Sequence, residues 1–231
     1  MASDVLAIIP CYNEEECLKI VVEDLKEKTA SVDFIVINGG SSDGTYKVCI
    51  DNNYPVINFP FNLGLANAIQ AGMRYAYRSG YNYALQFDGD GQHLPEYIPE
   101  MIRHMHEGDL DIVIGSRYMD KNSRGLRGLG VRFLRIAIWI ATRKKLYDPT
   151  SGLRLFNRKM IGRFAKHMNY GPEPDTLVYL MNQGAKVLEV PVAMRERLAG
   201  ESYFSTLIAA RYMLRMFVSI IIIQWFRGKE I

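Results

Sequence analysis

The feature that most constrains this chain is a repeated change of period. Short runs rich in Val and Ile, such as "VLAIIP" (5–10), "DFIVING" (33–39), "PVINF" (55–59), "YNYALQF" (81–87) and "LDIVIGS" (110–116), read as strands. Between them, "EEECLKIVVEDLKEK" (14–28), a segment from about Asp43, "LANAIQAGMRYAYRSG" (65–80) and a segment starting near Pro95 read as helices. This β-α-β alternation predicts a mainly parallel sheet within a three-layer α/β/α sandwich. A length of 231 residues is ample for the core such a fold needs.

In sheets of this kind, ligands bind beyond the carboxyl ends of the strands. Those ends fall at "PCYNEE" (10–15), "NGGSSDGT" (38–45), "DGDGQH" (88–93) and "GSRY" (115–118). Gly39 and Gly40, followed by Ser41, Ser42 and a helix start, let backbone N–H groups approach a ligand closely. Neither a Walker loop nor a G-x-G-x-x-G fingerprint is present, which disfavours a P-loop nucleotidase and a Rossmann dehydrogenase.

Asp88 and Asp90 stand two residues apart, so on an extended chain both carboxylates face one point. Two like charges there repel unless a cation lies between them. Hard oxygen donors at this spacing suit Mg²⁺ or Mn²⁺, which take their other ligands from water and substrate phosphates.

Charge is unevenly distributed although the net value is only +3. Residues 1–116 carry 7 basic against 17 acidic side chains, whereas residues 117–166 carry 14 against 2. The basic third fits a surface for phosphates or anionic lipid. No aromatic-interleaved RNA-binding motif or zinc spacing accompanies it, so nucleic acid is not an expected partner. Cys11, Cys17 and Cys49 are odd in number and without paired spacing, which fits small buried thiols in a reducing cytoplasm.

Seven ordered blocks, "AIIPCYNEEE", "NGGSSDGT", "FNLGLANAIQAG", "DGDGQH", "GSRY", "DPTSGLRLFNRK" and "EVPVAMRERLAGESYF", span residues 5 to about 205. Together the chain resembles GT-A-fold inverting glycosyltransferases, most closely the branch with dolichyl-phosphate and polyprenyl-phosphate sugar synthases. The resemblance implies a Rossmann-like GT-A domain over 1–205, with a nucleotide-sugar half (1–116) and an acceptor half (117–205). Residues 206–231 would form a membrane-associating or oligomerising helix.

The same resemblance implies the site. Pro10, Tyr12 and Glu14 fall where the base and ribose are held, with Gly39, Gly89 and Arg197 also on the nucleotide-sugar side. Asp88 and Asp90 fall on the metal motif, completed by Gln92. Arg117, Arg132, Ser151, Arg154 and Ser202 fall on the acceptor and phosphate side. Packing is the alternative for Tyr12, dipole complementation for Glu14, and a plain ion pair for Arg117 and Arg197.

Two positions depart from the family pattern. Gly39 stands where an Asp usually binds the nucleotide, so Asn38, Ser41 or Asp43 substitutes or donor binding is weaker. Tyr203 stands where a basic residue often completes the phosphate clamp.

The expected reaction is a single inverting displacement, with a cation stabilising the departing nucleoside diphosphate. A sugar-hydroxyl acceptor needs a general base, for which Asp175 and then Asp148 are the candidates. A lipid phosphate is already anionic and needs positioning cations instead. "SRGLRGLGVRFLRIAIWIATRKK" (123–145) and "LIAARYMLRMFVSIIIIQWF" (207–226) mix arginines with apolar residues, as helices lying on a membrane surface do. The second is interrupted by Arg211, Arg215 and Gln224, which disfavours a span.

These features predict a metal-dependent enzyme, peripheral on the cytoplasmic face, that uses a nucleotide-sugar donor and a lipid-linked acceptor. A homo-oligomer or a small membrane-protein partner would also fit the C-terminal helix. Alternatives are extension of a lipid-linked or surface polysaccharide, and a weakly catalytic sugar-nucleotide-binding subunit of a membrane complex.

Overall fold

In a computed structural model of the chain, residues 3–118, 125–166, 171–196 and 206–222 are described. Seven strands form one sheet: Val5–Cys11 (β1), Val32–Asn38 (β2), Val56–Asn58 (β3), Tyr83–Gln86 (β4), Ile112–Ser116 (β5), Arg154–Asn157 (β6) and Val187–Pro191 (β7). Their order is β3-β2-β1-β4-β6-β5-β7. All neighbouring pairs are parallel except those of β6, which runs antiparallel between β4 and β5. The fold is an α/β GT-A fold with a mixed, mostly parallel sheet.

β1 shows why the central strands read as unbroken apolar runs. Leu6 and Ile8 face one core, while Val5, Ala7 and Ile9 face the other, because successive side chains of a strand alternate between faces. The helices Leu18–Lys28 (α1), Thr45–Asp51 (α2) and Ile98–Glu107 (α4) cover the second face through Val22, Cys49 and Met101. Leu65–Arg78 (α3) covers the first face, and Gly72 admits it close to β1, since any Cβ there would strike Ile8.

Gly125–Thr142 (α5), Arg158–Lys166 (α6), Pro174–Asn182 (α7) and Thr206–Ile221 (α8) complete that first layer through Leu134, Phe164, Leu177 and Ile220. α8 packs against α5 and α7. Each amphipathic helix buries its apolar stripe, which supplies most of its stability.

All three cysteines are buried, and none is in a disulfide. Among the described residues, no helix is long and apolar enough to cross a membrane.

Candidate active site

The carboxyl ends of β1, β2, β4 and β5 lie together with the amino end of antiparallel β6. The register pairs Gln86 at the end of β4 with Arg154 at the start of β6, and Ile114 of β5 with the same arginine. Arg154 therefore lies beneath the Asp88 loop.

Where the sequence predicts the donor, the loops after β1 and β2 are stitched together. The Asn13 N–H donates to Ser41 Oγ at 3.0 Å, Ser42 N–H to Asn13 Oδ1 at 2.9 Å, and Glu14 N–H to Thr45 Oγ1 at 2.9 Å. Pro10, Tyr12 and Glu14 are partly exposed along this seam.

The three possible stand-ins for the missing carboxylate are all engaged in it. Asn38 is buried and bonds Asn58 and Ser41. Asp43 accepts from the Glu15 N–H and from Thr45. Burial disfavours the Asp43 charge, but the hydrogen bonds outweigh it and hold the carboxyl below its ordinary range.

Gly39 has no positive φ; that conformation belongs to Gly40, at +75°, where any Cβ would strike the Phe61 backbone. A Cβ at Gly39 would lie 3.2 Å from the Cys11 carbonyl oxygen.

The two aspartates are placed differently from the extended arrangement read in the sequence. β4 stops at Gln86, residues 89–90 form a turn, and Gly91 takes a φ of +77°. Asp88 keeps 33% of its side chain exposed, whereas Asp90 is buried and accepts from the Gln92 N–H at 3.0 Å. The Gln92 side chain is partly exposed.

His93 braces the loop. The Asp88 N–H donates to its Nδ1 at 3.0 Å, which in the neutral ring leaves the proton on Nε2, 3.6 Å from Asp88 Oδ2. Two glycines make room: a Cβ at Gly152 would overlap Asp88 Oδ2, and one at Gly89 would crowd Cys11 Sγ. The Cys11 thiol is pushed well above its ordinary value by burial, then by Cys49 and by the carboxylates of Glu14, Asp88 and Asp90, which converge on the end of β1.

These residues fit a hard divalent cation. Two carboxylates, one of them open beside a glycine cradle, match ions that take one or two protein oxygens and complete their shell with water and phosphate. Among the described residues, no group of three or more His, Cys, Asp and Glu donors forms a closed cage.

Where the sequence predicts the acceptor, Asp148 is fully buried and grips Arg117 at Nε (2.6 Å) and Nη2 (2.8 Å). Asp148 also accepts from the Arg117 N–H, and Thr150 Oγ1 accepts from Nη2. Burial works against the Arg117 charge, but Asp148 more than compensates and raises its pKa. The plain ion pair weighed for Arg117 is thus present, and Asp148 is committed to it. That leaves Asp148 poorly suited to take a proton from an acceptor.

Ser151 is also turned inward: it is buried, donates to the Gly115 carbonyl at 2.5 Å and accepts from the Leu153 N–H. Its hydroxyl ties the 148–153 loop to the end of β5. Arg154 is 1% exposed and donates to the Ser151 and Pro149 carbonyls. Burial brings its pKa down to about 10, against the pull of Tyr212, Asp148, Glu173 and Asp88. Arg132 is exposed on α5, and Arg197 and Ser202 lie outside the described residues, as does Tyr203.

Asp175 occupies the first turn of α7 and accepts a 2.7 Å hydrogen bond from Ser219 of α8. Sequence reasoning missed its neighbour Glu173, the residue before α7, whose pKa is raised by burial and by Asp175 despite Arg154 and Arg215. It also missed Glu189, which accepts from the Tyr147 and Asp148 N–H groups and so holds the Asp148 loop on β7. "DGDGQH" contained a signal for His93, and "TSGLR" one for Gly152; Glu189 had none, because its partners are distant in sequence.

Sheet order, strand-end chemistry and the antiparallel insertion fit a glycosyltransferase. The profile of Glycosyl transferase family 2 matches residues 6–164, and the chain belongs to that family. The chain is 28% identical over 218 residues to undecaprenyl-phosphate mannosyltransferase of Micrococcus luteus, covering 87% of each protein. Polyprenol monophosphomannose synthase of Mycolicibacterium smegmatis is 28% identical, over 87% of this chain and 80% of that protein. UDP-N-acetylglucosamine–dolichyl-phosphate N-acetylglucosaminyltransferase of Methanococcus voltae is 28% identical, over 80% and 83%. In fold, the chain is similar to glucosyl-3-phosphoglycerate synthase from Mycobacterium tuberculosis in complex with Mn²⁺ and UDP-glucose. The TM-score is 0.68 at 17% identity, covering 94% of this chain and 78% of that one.

Proposed function

We propose that the chain is an inverting, divalent-cation-dependent glycosyltransferase that moves a sugar from a nucleotide-sugar to a lipid-linked acceptor, most simply polyprenyl phosphate. It would work as a peripheral protein on the cytoplasmic face of a membrane. Family membership supports sugar transfer, and the three relatives just named support a polyprenyl or dolichyl phosphate acceptor.

One observation carries the lipid assignment. The paired helices α5 and α8 leave large apolar side chains outward: Phe133, Ile136, Trp139 and Ile140 on one, Leu214, Phe217, Val218 and Ile222 on the other. Exposed Arg132, Arg143, Lys144, Lys145, Arg211 and Arg215 accompany them, and Arg143 lies over the Trp139 ring. An apolar face with a basic rim suits the boundary between acyl chains and anionic headgroups.

In this reading, Pro10, Tyr12 and Glu14 hold the nucleoside, and the Gly39 and Gly89 backbones admit the donor. Asp88 and Asp90, with Gln92, hold Mg²⁺ or Mn²⁺, which when bound supplies positive charge to the leaving diphosphate. Arg117, fixed by Asp148, and Arg154 behind it add positive charge at the phosphates, Arg132 and Ser202 complete the acceptor clamp, and Arg197 contributes to holding the nucleotide-sugar. Asp175 takes the acceptor's proton when it carries one. A second carboxylate at Glu173 keeps this corner negative, opposite the arginines.

The test is transfer from a panel of UDP- and GDP-sugars with Mn²⁺ to undecaprenyl phosphate in anionic vesicles. Labelled sugar should partition into the organic phase. Label delivered only to soluble glycan hydroxyls would contradict the lipid-phosphate assignment.

A further inference from the structure

α8 does more than cover the core. Tyr212, Met216 and Ser219 recur at helical spacing and so lie on one face. Met216 and Ser219 are buried, at 3% and 7% exposed. Tyr212 belongs to the same cluster: its hydroxyl is pushed up to about 12 by burial, then by Glu173. From this face Ser219 Oγ reaches across to Asp175 Oδ2 at 2.7 Å. Its neighbour Val218 and, one turn on, Ile222 are 38% and 54% exposed on the outward face. A single turn of helix thus touches the acceptor-side carboxylate on one face and the surroundings on the other.

We propose that Ser219 is the positioning residue for Asp175, so that the seating of α8 fixes the acceptor-side carboxylate. The inference rests on the reading of Asp175 as the acceptor's proton acceptor. That role holds for a sugar hydroxyl, and for a phosphate monoester wherever it keeps a proton, below a second pKa of about 6. The hydrogen bond selects one orientation of the carboxylate.

With undecaprenyl phosphate below about pH 6, Ser219→Ala is expected to lower kcat by about 10- to 100-fold, the range for loss of a supporting partner, with the KM for nucleotide-sugar unchanged. The deficit should disappear at higher pH, where the phosphate monoester has lost its second proton and needs no acceptor for it. Ser219→Thr, which keeps the hydroxyl, should restore the rate. A packing role alone would give neither that pH dependence nor the split between kcat and KM.

Asp175→Asn separates the two levels of the argument. If, below about pH 6, it transfers sugar at the full rate, the proton-acceptor reading fails and Ser219 loses its role. If Asp175→Asn is impaired there while Ser219→Ala keeps the normal rate, the positioning role is overturned and the reading stands. Far-UV circular dichroism and Mn²⁺-dependent UDP binding confirm that each variant is folded; a Ser219→Ala protein that fails them would make the bond structural and also overturn the proposal.

Discussion

Arg117 and Asp148 meet edge to edge, with Nε and Nη2 of the guanidinium on the two oxygens of a fully buried carboxylate. The geometry fixes an arginine at the end of β5 while leaving 32% of its side chain exposed toward the strand-end crevice. Such bidentate pairs combine energy with directional precision.

Removing the carboxylate therefore leaves a half-buried arginine without its partner. Asp148→Asn should destabilise the fold toward the lower end of about 3–5 kcal/mol, since Arg117 retains water, and should also impair transfer. Urea unfolding and the transfer assay check this. A stable but inactive variant would instead show that Asp148 acts directly on the substrate.

Gly39→Asp restores the carboxylate usual in the family. It should tighten nucleotide binding by about 1.5–3 kcal/mol, the range for a hydrogen bond to a charged group. The gain should fall toward the smaller figure because the Cys11 carbonyl, 3.2 Å from the new Cβ, must give way. Calorimetry with UDP and Mn²⁺ reads the change, and weakened binding with an intact fold would show that the glycine serves close backbone approach.

The regular alternation made β1 to β5 and the helices between them readable, and with them the loops at 10–15, 38–45, 88–93 and 115–118, but not the parallel edge strand β7. β6 escaped because "RLFN" is four residues long and its antiparallel insertion is decided by tertiary packing. The contacts of Asp148 and Ser151 were not readable for the same reason: their partners Arg117 and Gly115 lie 31 and 36 residues away. The directions of Asp88 and Asp90 depend on where β4 ends, and strand ends are the least legible part of a sequence.

The outward face of α5 and α8 predicts lipid binding that single charges disrupt. Trp139→Glu and Leu214→Glu, at positions 46% and 66% exposed, should each weaken association with anionic vesicles about tenfold or more while leaving UDP binding unchanged. Flotation at low and high salt measures it, with salt reducing the remaining basic attraction. Substitution is a cleaner probe than truncation, because α8 also buries Met216 and Ile220 in the core. Undiminished flotation of both variants would assign this face to another contact.

Burial, and then the Asp175 charge, raises the Glu173 pKa above the ordinary 4.5. Across the interval from 4.5 up to the raised value, the folded state binds more protons than the unfolded state, so Glu173 makes stability fall as pH rises. Glu189, raised chiefly by burial, adds to that slope. Glu173→Gln should flatten the decline without abolishing it. Denaturant midpoints at a series of pH values would show this, and an unchanged slope would place the Glu173 carboxyl in water.

The central claim is that Asp88 and Asp90 hold a divalent cation on which sugar transfer depends. The most direct measurement is transfer to undecaprenyl phosphate with and without Mn²⁺ by the unaltered protein, Asp88→Asn and Asp90→Asn. The account predicts that chelation abolishes transfer by the unaltered protein and that each variant, still folded, loses activity by orders of magnitude at every Mn²⁺ concentration. Full transfer in excess chelator, or by either variant, would contradict it.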